Sequence, residues 1–268
     1  MRAWIAALGL VVFGSAGSAW EIAPVPLVAG GEPIPSVAAP RICAKADEVR
    51  WAAMTPAGAA VWARTPTGWR QWLVDPGAQG ARLADCETLV SWTDEDVRLW
   101  RLDAGGLWRR QPAAWPLGRV RVHDAVRWGA SVWLVVSTPA PGRLVEGTLW
   151  LVRFVQGTFV VQPALATSGG AAALAAGQTE LALVYAVRGG ASHGWAQWRL
   201  EAIRTRNGVD WSVPSTLAAG LRAPEALELG VRVAAAFRAD GTGGAGFTAW
   251  GRGPASQPWL VCEGGTPE

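Results

Sequence analysis

The sequence predicts an all-β protein, a β-propeller of about five four-stranded blades with a sixth left open. The chain holds eighteen tryptophans, several of which fall in a recurring frame. Between them lie short runs that alternate apolar and polar residues and are bounded by Gly, Pro, Asp and Ser, which is the strand signal. Helix is hard to place anywhere: 171–176 has the propensity, but Gly169, Gly170 and Gly177 bracket it and leave fewer than two turns.

The frame is a strand carrying an aromatic, a tight Gly or polar turn, and a second aromatic opening the next strand. It reads AAVWARTPTGWRQW at 59–72, VRLWRLDAGGLWRRQ at 97–111, TLWLVRFVQGTFVVQ at 148–162, WAQWRLEAIRTRNGVDWSVP at 195–214 and FTAWGRGPASQPWLV at 247–261. The closing aromatics Trp69, Trp108, Phe159, Trp211 and Trp259 are spaced 39, 51, 52 and 48 apart, the period of propeller blades. Upstream of each hairpin lie further alternating runs at 49–54, 88–92, 120–136, 180–187 and 231–237, so each unit reads as four strands. A lone four-stranded sheet cannot bury both faces, whereas blades around an axis cover one another. Most tryptophans are then wedges between blades, each burying on the order of 200 Å².

The ends add context. Arg2, an apolar run from Ala3 to Phe13 and Gly17-Ser18-Ala19 read as a secretory signal at 1–19, too short to span a bilayer. A Pro-rich strap at 20–41, the propeller at 42–262 and a tail at 263–268 complete the expected division. This places the chain outside the cell or in a periplasm, as a monomer without an integral membrane segment after cleavage. With 24 basic against 21 acidic residues spread along the chain, no basic patch favours nucleic acid. Cys43, Cys86 and Cys262 lack metal-ligand spacing. Cys43 with Cys262 would pin a closed ring, Cys43 with Cys86 is a comparable alternative, and spacing does not decide between them.

The sharpest local signal is RTRNGVDWSVPSTL at 204–217. It resembles the Asp-box hairpin of sialidase-like, BNR-repeat propellers, in which Ser-x-Asp-x-Gly-x-Thr-Trp is followed by Ser-x-Pro. Asn207 and Gly208 suit the tight turn and Trp211 the buried aromatic. Arg204 and Arg206 replace the family's Ser and Asp, and Asp210 its Thr, so the turn is retained and its side-chain latch is not. The resemblance implies that the boxes are structural and that the ligand face lies at the opposite end, with the connections between second and third strands. Those are expected at 56–58, 93–96, 139–147, 188–194 and 239–246, lengthening in the last three. The implied rim carries Arg143, Glu146, Arg188, His193, Arg238 and Asp240, with Tyr185 inside the apolar strand LALVYAV as a core or channel residue.

Sialidase chemistry would need an arginine triad, a Tyr nucleophile activated by Glu, and an Asp acid/base. Tyr185 is the single tyrosine of the chain, and 32–35 and 40–43 only partly match the family's Arg-Ile-Pro motif. His123 adjoins Asp124, but neighbours on a strand point to opposite faces, so they are not expected to pair. The Gly-rich 241–246 reads as a loop tip. No catalytic residue, metal or cofactor is assigned. The leading expectation is a non-catalytic propeller binding a glycan or a cell-envelope protein. A sialidase-like glycoside hydrolase is the alternative, and an envelope scaffold, which predicts a broad exposed apolar patch, the second alternative.

Overall fold

The computed structural model describes residues 28–29, 32–33, 42–45, 48–65, 68–139, 147–162, 166–192, 195–224, 231–237, 243–249 and 258–262. The chain divides into two compact units, Met1–Pro35 and Ser36–Glu268. In the first, β1 (Val28–Ala29) and β2 (Glu32–Pro33) form a minimal antiparallel hairpin.

The second unit is a succession of antiparallel meanders. Blade 1 is β3 (Ile42–Lys45), β4 (Glu48–Thr55), β5 (Gly58–Thr65) and β6 (Gly68–Asp75), paired in chain order. Blade 2 is β7 (Gly80–Asp85), β8 (Thr88–Trp92), β9 (Val97–Leu102) and β10 (Trp108–Arg110). Blade 3 is β11 (Arg121–Trp128), β12 (Ser131–Pro139), β13 (Gly147–Val155) and the short β14 (Thr158–Val161). Blade 4 is β15 (Ala166–Ala176), β16 (Leu181–Ser192), β17 (Trp195–Thr205) and β18 (Ser215–Pro224). Blade 5 comprises β19 (Val231–Phe237), β20 (Gly243–Ala249) and β21 (Pro258–Cys262) among the described residues. First strands of successive blades lie side by side, β7 against β11, β11 against β15 and β15 against β19. First-to-second and third-to-fourth connections therefore gather at one end of the blades, here the hairpin end. Second-to-third and blade-to-blade connections gather at the other, the crossover end.

The alternation read from the sequence becomes two buried faces per blade. Val90, Val97 and Leu99 of blade 2 meet Val122, Leu134 and Val152 of blade 3. On the other side of blade 3, Val126, Trp133 and Leu151 meet Leu174, Leu183 and Tyr185 of blade 4. Of the twelve tryptophans whose exposure is described, four are buried and eight half-buried, which fits wedges between sheets. Trp51 and Trp62, cross-strand partners on blade 1, stack nearly parallel at 6.3 Å.

Residues 171–176 are strand, in keeping with the absence of a helix expected there, and β15 passes from blade 3 to blade 4 at its glycines: Gly169 pairs with both Gly147 of β13 and Val187 of β16. Other expectations are corrected. The Gly-rich 243–246 lies inside β20, where Gly244 and Gly246 oppose Ala236 and Ala234. Small residues facing small residues leave the ladder to the backbone, which needs no side chain. The long connection expected from Arg188 is mostly strand, since β16 runs on to Ser192 through an irregularity after Arg188. Among the described strands, the connection holding Arg238 and Asp240 joins the first and second of its sheet, not the second and third.

The disulfide joins Cys43 to Cys86, not to Cys262. Cys43 lies on the first strand of blade 1, and the β7–β8 turn carrying Cys86 abuts that strand, whereas Cys262 lies on β21. Two further contacts secure the turn to blade 1: Arg50 Nη1 donates to the Cys86 carbonyl at 2.6 Å, and Lys45 pairs with Glu87.

The 204–217 hairpin keeps a latch after all, shifted by one residue from the box position. Asn207 Oδ1 accepts from the backbone N–H groups of Val209 and Asp210, each at 2.9 Å, and Thr205 Oγ1 accepts from Gly208 N at 2.9 Å. Gly208 has φ +75°, and a Cβ there would lie 2.7 Å from the Trp133 ring. Only glycine fits that turn and that approach. Trp211 meets Trp133 edge-on at 6.1 Å and donates to Gln162 Oε1 at 3.0 Å, which fastens the hairpin to blade 3.

Candidate functional site

At the crossover end of blade 3 the ladder breaks. Arg121 opposes Ser137 and Val122 opposes Val136, but the next partner of β12, Val135, opposes Asp124. His123 is the extra residue of a bulge, a device that re-aims side chains. The bulge brings His123 and Asp124 to the same side of the sheet, the side facing blade 4. His123 Nε2 lies 2.8 Å from Ser137 Oγ, and Asp124 Oδ2 accepts from Leu174 N of β15 at 2.9 Å. The expectation that these neighbours point apart fails because strict alternation holds only in an unbroken ladder.

Asp124 is a three-blade tie. Besides the bond from β15, its Oδ1 accepts from Ala125 N at 2.8 Å and lies 3.4 Å from Arg82 Nη1 of β7. The same Arg82 nitrogen donates to the His123 carbonyl. Arg82 retains 26% side-chain exposure while Asp124 keeps 8%. The carboxylate is thus covered and the guanidinium remains within reach of solvent.

Half-buried aromatic faces lie toward the same end, between blades 2 and 3. Trp92 closes β8 and Trp150 lies near the start of β13; Trp115, in the connection from β10 to β11, packs against the same core nearer the hairpin end. Trp92 lies across its cross-strand partner Gly80, where a Cβ would stand 2.2 Å from the indole. Trp150 Nε1 donates to Thr138 Oγ1 at 3.2 Å and Trp115 Nε1 to the Gly118 carbonyl at 2.9 Å. Trp115 also meets Phe159 edge-on at 5.1 Å.

Of the residues named from sequence, Arg143, Glu146, His193, Arg238 and Asp240 lie outside the described residues. Arg188 is half-buried on β16. Tyr185 is 2% exposed within the core between blades 3 and 4. Burial first, and then the Glu201 carboxylate to which its hydroxyl donates, push the phenol well above its ordinary pKa. It is a neutral packing residue with a satisfied hydroxyl. Sequence reasoning missed Arg82 and Ser137, and it set His123 and Asp124 aside. The available signal was two adjacent polar residues inside the alternating run VRVHDAV.

No protein-family model matches the chain, and no curated protein matches it by sequence. Solved structures do. AofleA from Arthrobotrys oligospora superposes with a TM-score of 0.57 at 12% identity, covering 88% of this chain and 72% of that one. The α-L-arabinanase of Penicillium chrysogenum, solved with arabinobiose, superposes with a TM-score of 0.50 at 12% identity, covering 80% of this chain and 74% of its own.

The fold is a β-propeller.

At these identities the likeness is one of architecture. It assigns the sheets described above to blades, and within the propeller the first strands line the axis. His123, Asp124 and Arg82, all on first strands, therefore stand beside the axis, and Ser137 stands one strand further out.

Proposed function

We propose that this propeller is an exported, non-catalytic carbohydrate-binding protein whose ligand sits at the crossover end of blades 2 to 4. One observation carries the reading: hydrogen-bonding groups at the axis, His123 with Ser137 and Arg82 with Asp124, share that end with the half-buried tryptophans Trp92 and Trp150. Sugars are bound by this combination, with aromatic faces against C–H surfaces and polar side chains on hydroxyls. The solved arabinanase with arabinobiose lends support as a propeller that holds a saccharide. The latched 204–217 hairpin supports sialidase-like ancestry. A glycoside hydrolase is the second reading, favoured by that arabinanase. A scaffold role draws little support, because the exposed large apolar residues among the described ones, such as Leu73, Leu107, Val160 and Val213, are scattered over four sheets or their connections.

The test is a glycan-array screen, arabinobiose included, beside a glycosidase and sialoside panel, on protein secreted without residues 1–19. Saturable binding without turnover is the expected result, weakened at least tenfold by Trp150→Ala and by His123→Ala. Turnover would overturn the non-catalytic reading. Silence in both screens would put the scaffold reading ahead.

A further inference from the structure

The hairpin end of the cleft between blades 2 and 3, opposite the proposed saccharide site, holds a row of polar residues. Asp85 of β7 opposes Thr88 of β8, Thr88 opposes Arg101 of β9, and Arg101 opposes Arg109 of β10. Directly opposed residues share a face, and here it is the face toward blade 3: Val90 and Leu99, two places along from Thr88 and Arg101, belong to the core between these blades. From blade 3, Arg127 Nη1 reaches Asp85 Oδ2 at 3.2 Å.

Two features of this row are costly as they stand. Thr88 Oγ1 is fully buried, in a residue with 0% exposure, and has no hydrogen-bond partner. Arg101 Nε is likewise buried without one. A buried polar atom with no partner is expensive, and native proteins avoid it. The charges do not close either. Asp85 is matched by Arg127, and Arg109 by Asp103 at 3.0 Å. Arg101, directly opposite the like-charged Arg109, is left with no carboxylate among the described residues. Like charges in that position repel.

We propose that a small free oxyanion of the phosphate or sulfate class occupies this site, accepting hydrogen bonds from Thr88 Oγ1 and the Arg101 guanidinium. An anion supplies the acceptor that both orphaned groups lack and offsets the repulsion between Arg101 and Arg109. A water would satisfy the hydroxyl and leave the charge unmatched, and a metal cation would add to it. Arginine suits such a ligand because its planar fork meets an oxyanion at two oxygens. The 0% exposure of Thr88 limits the occupant to something small enough to enter between two packed sheets.

The experiment follows the thermal midpoint of the secreted chain in phosphate, sulfate and chloride at matched ionic strength, with phosphate bound at equilibrium counted by dialysis. The midpoint is expected to rise with the logarithm of phosphate concentration and not with chloride, with one phosphate bound per chain. Thr88→Val and Arg101→Gln should each weaken phosphate binding at least tenfold, while Thr88→Ser, which keeps the hydroxyl, should not. Where Arg101→Gln folds poorly, Arg101→Lys serves, since it keeps the charge and loses the fork. Equal midpoints in all three salts would overturn the proposal, as would phosphate binding that survives both Thr88→Val and loss of the guanidinium.

Discussion

Removing the Asp124 carboxylate tests whether the axial tie holds the blades together. In Asp124→Ala the N–H of Leu174, on a residue with no exposed surface, loses its acceptor. One such orphan costs about 1–3 kcal/mol. Arg82 also loses its counter-ion, though the His123 carbonyl and its partial exposure soften that loss. Truncating one partner of a buried, hydrogen-bonded pair typically costs ~3–5 kcal/mol, and the low end fits Arg82's access to solvent. Against a total stability of roughly 5–15 kcal/mol, about 3 kcal/mol is a large fraction, worth about 6–12 °C in midpoint for a chain of this size. Asp124→Asn keeps one acceptor oxygen and should cost about half as much. Urea unfolding followed by tryptophan fluorescence gives both values. A loss below about 1 kcal/mol in Asp124→Ala would refute the reasoning, since it would mean that Leu174 N finds another acceptor and the tie is dispensable.

Two further outcomes follow from the cross-link and the buried phenol. The Cys43–Cys86 bond closes a sequence separation of 43, so Cys43→Ser with Cys86→Ser, or reduction by dithiothreitol, should cost about 4 kcal/mol on the chain-entropy account, measured by urea unfolding with and without reductant; an equal cost from Cys262→Ser would contradict the connectivity. The raised pKa of Tyr185 gives stability that is fully present below the ordinary tyrosine value near about 10 and is lost as pH climbs from there through the folded value. Because Tyr185 is the single tyrosine, tyrosinate absorbance should appear only together with loss of the tryptophan signal, and ionisation near pH 10 in an intact fold would count against its burial.

How much was legible in the sequence depended on whether local pattern or partner choice decided the outcome. The hairpins at 59–72, 97–111 and 148–162 emerge where the alternation and turn residues place them, because strand, turn and period are properties of a short window. The partner of Cys43 was not readable, since it depends on which turn of the next blade abuts β3. His123 and Asp124 were dismissed by a rule that a single extra residue suspends. The latch of the 204–217 hairpin was looked for at Arg204 and Arg206 and lies at Thr205 and Asn207, one step over, because an amide oxygen at the turn itself reaches the same N–H groups. Helical propensity at 171–176 lost to the two neighbouring strands that those small residues pair with or pack against.

The sheet change inside β15 has a mechanical consequence. Elsewhere a blade can tilt against its neighbour by sliding side chains over side chains, but blades 3 and 4 share a backbone ladder at Gly147 with Gly169 and Leu149 with Ala166. Under load or thermal breathing that pair should move as one stiff plate. Any widening of the propeller would then fall to the other gaps, including the cleft between blades 2 and 3, whose core Trp92 and Trp150 flank.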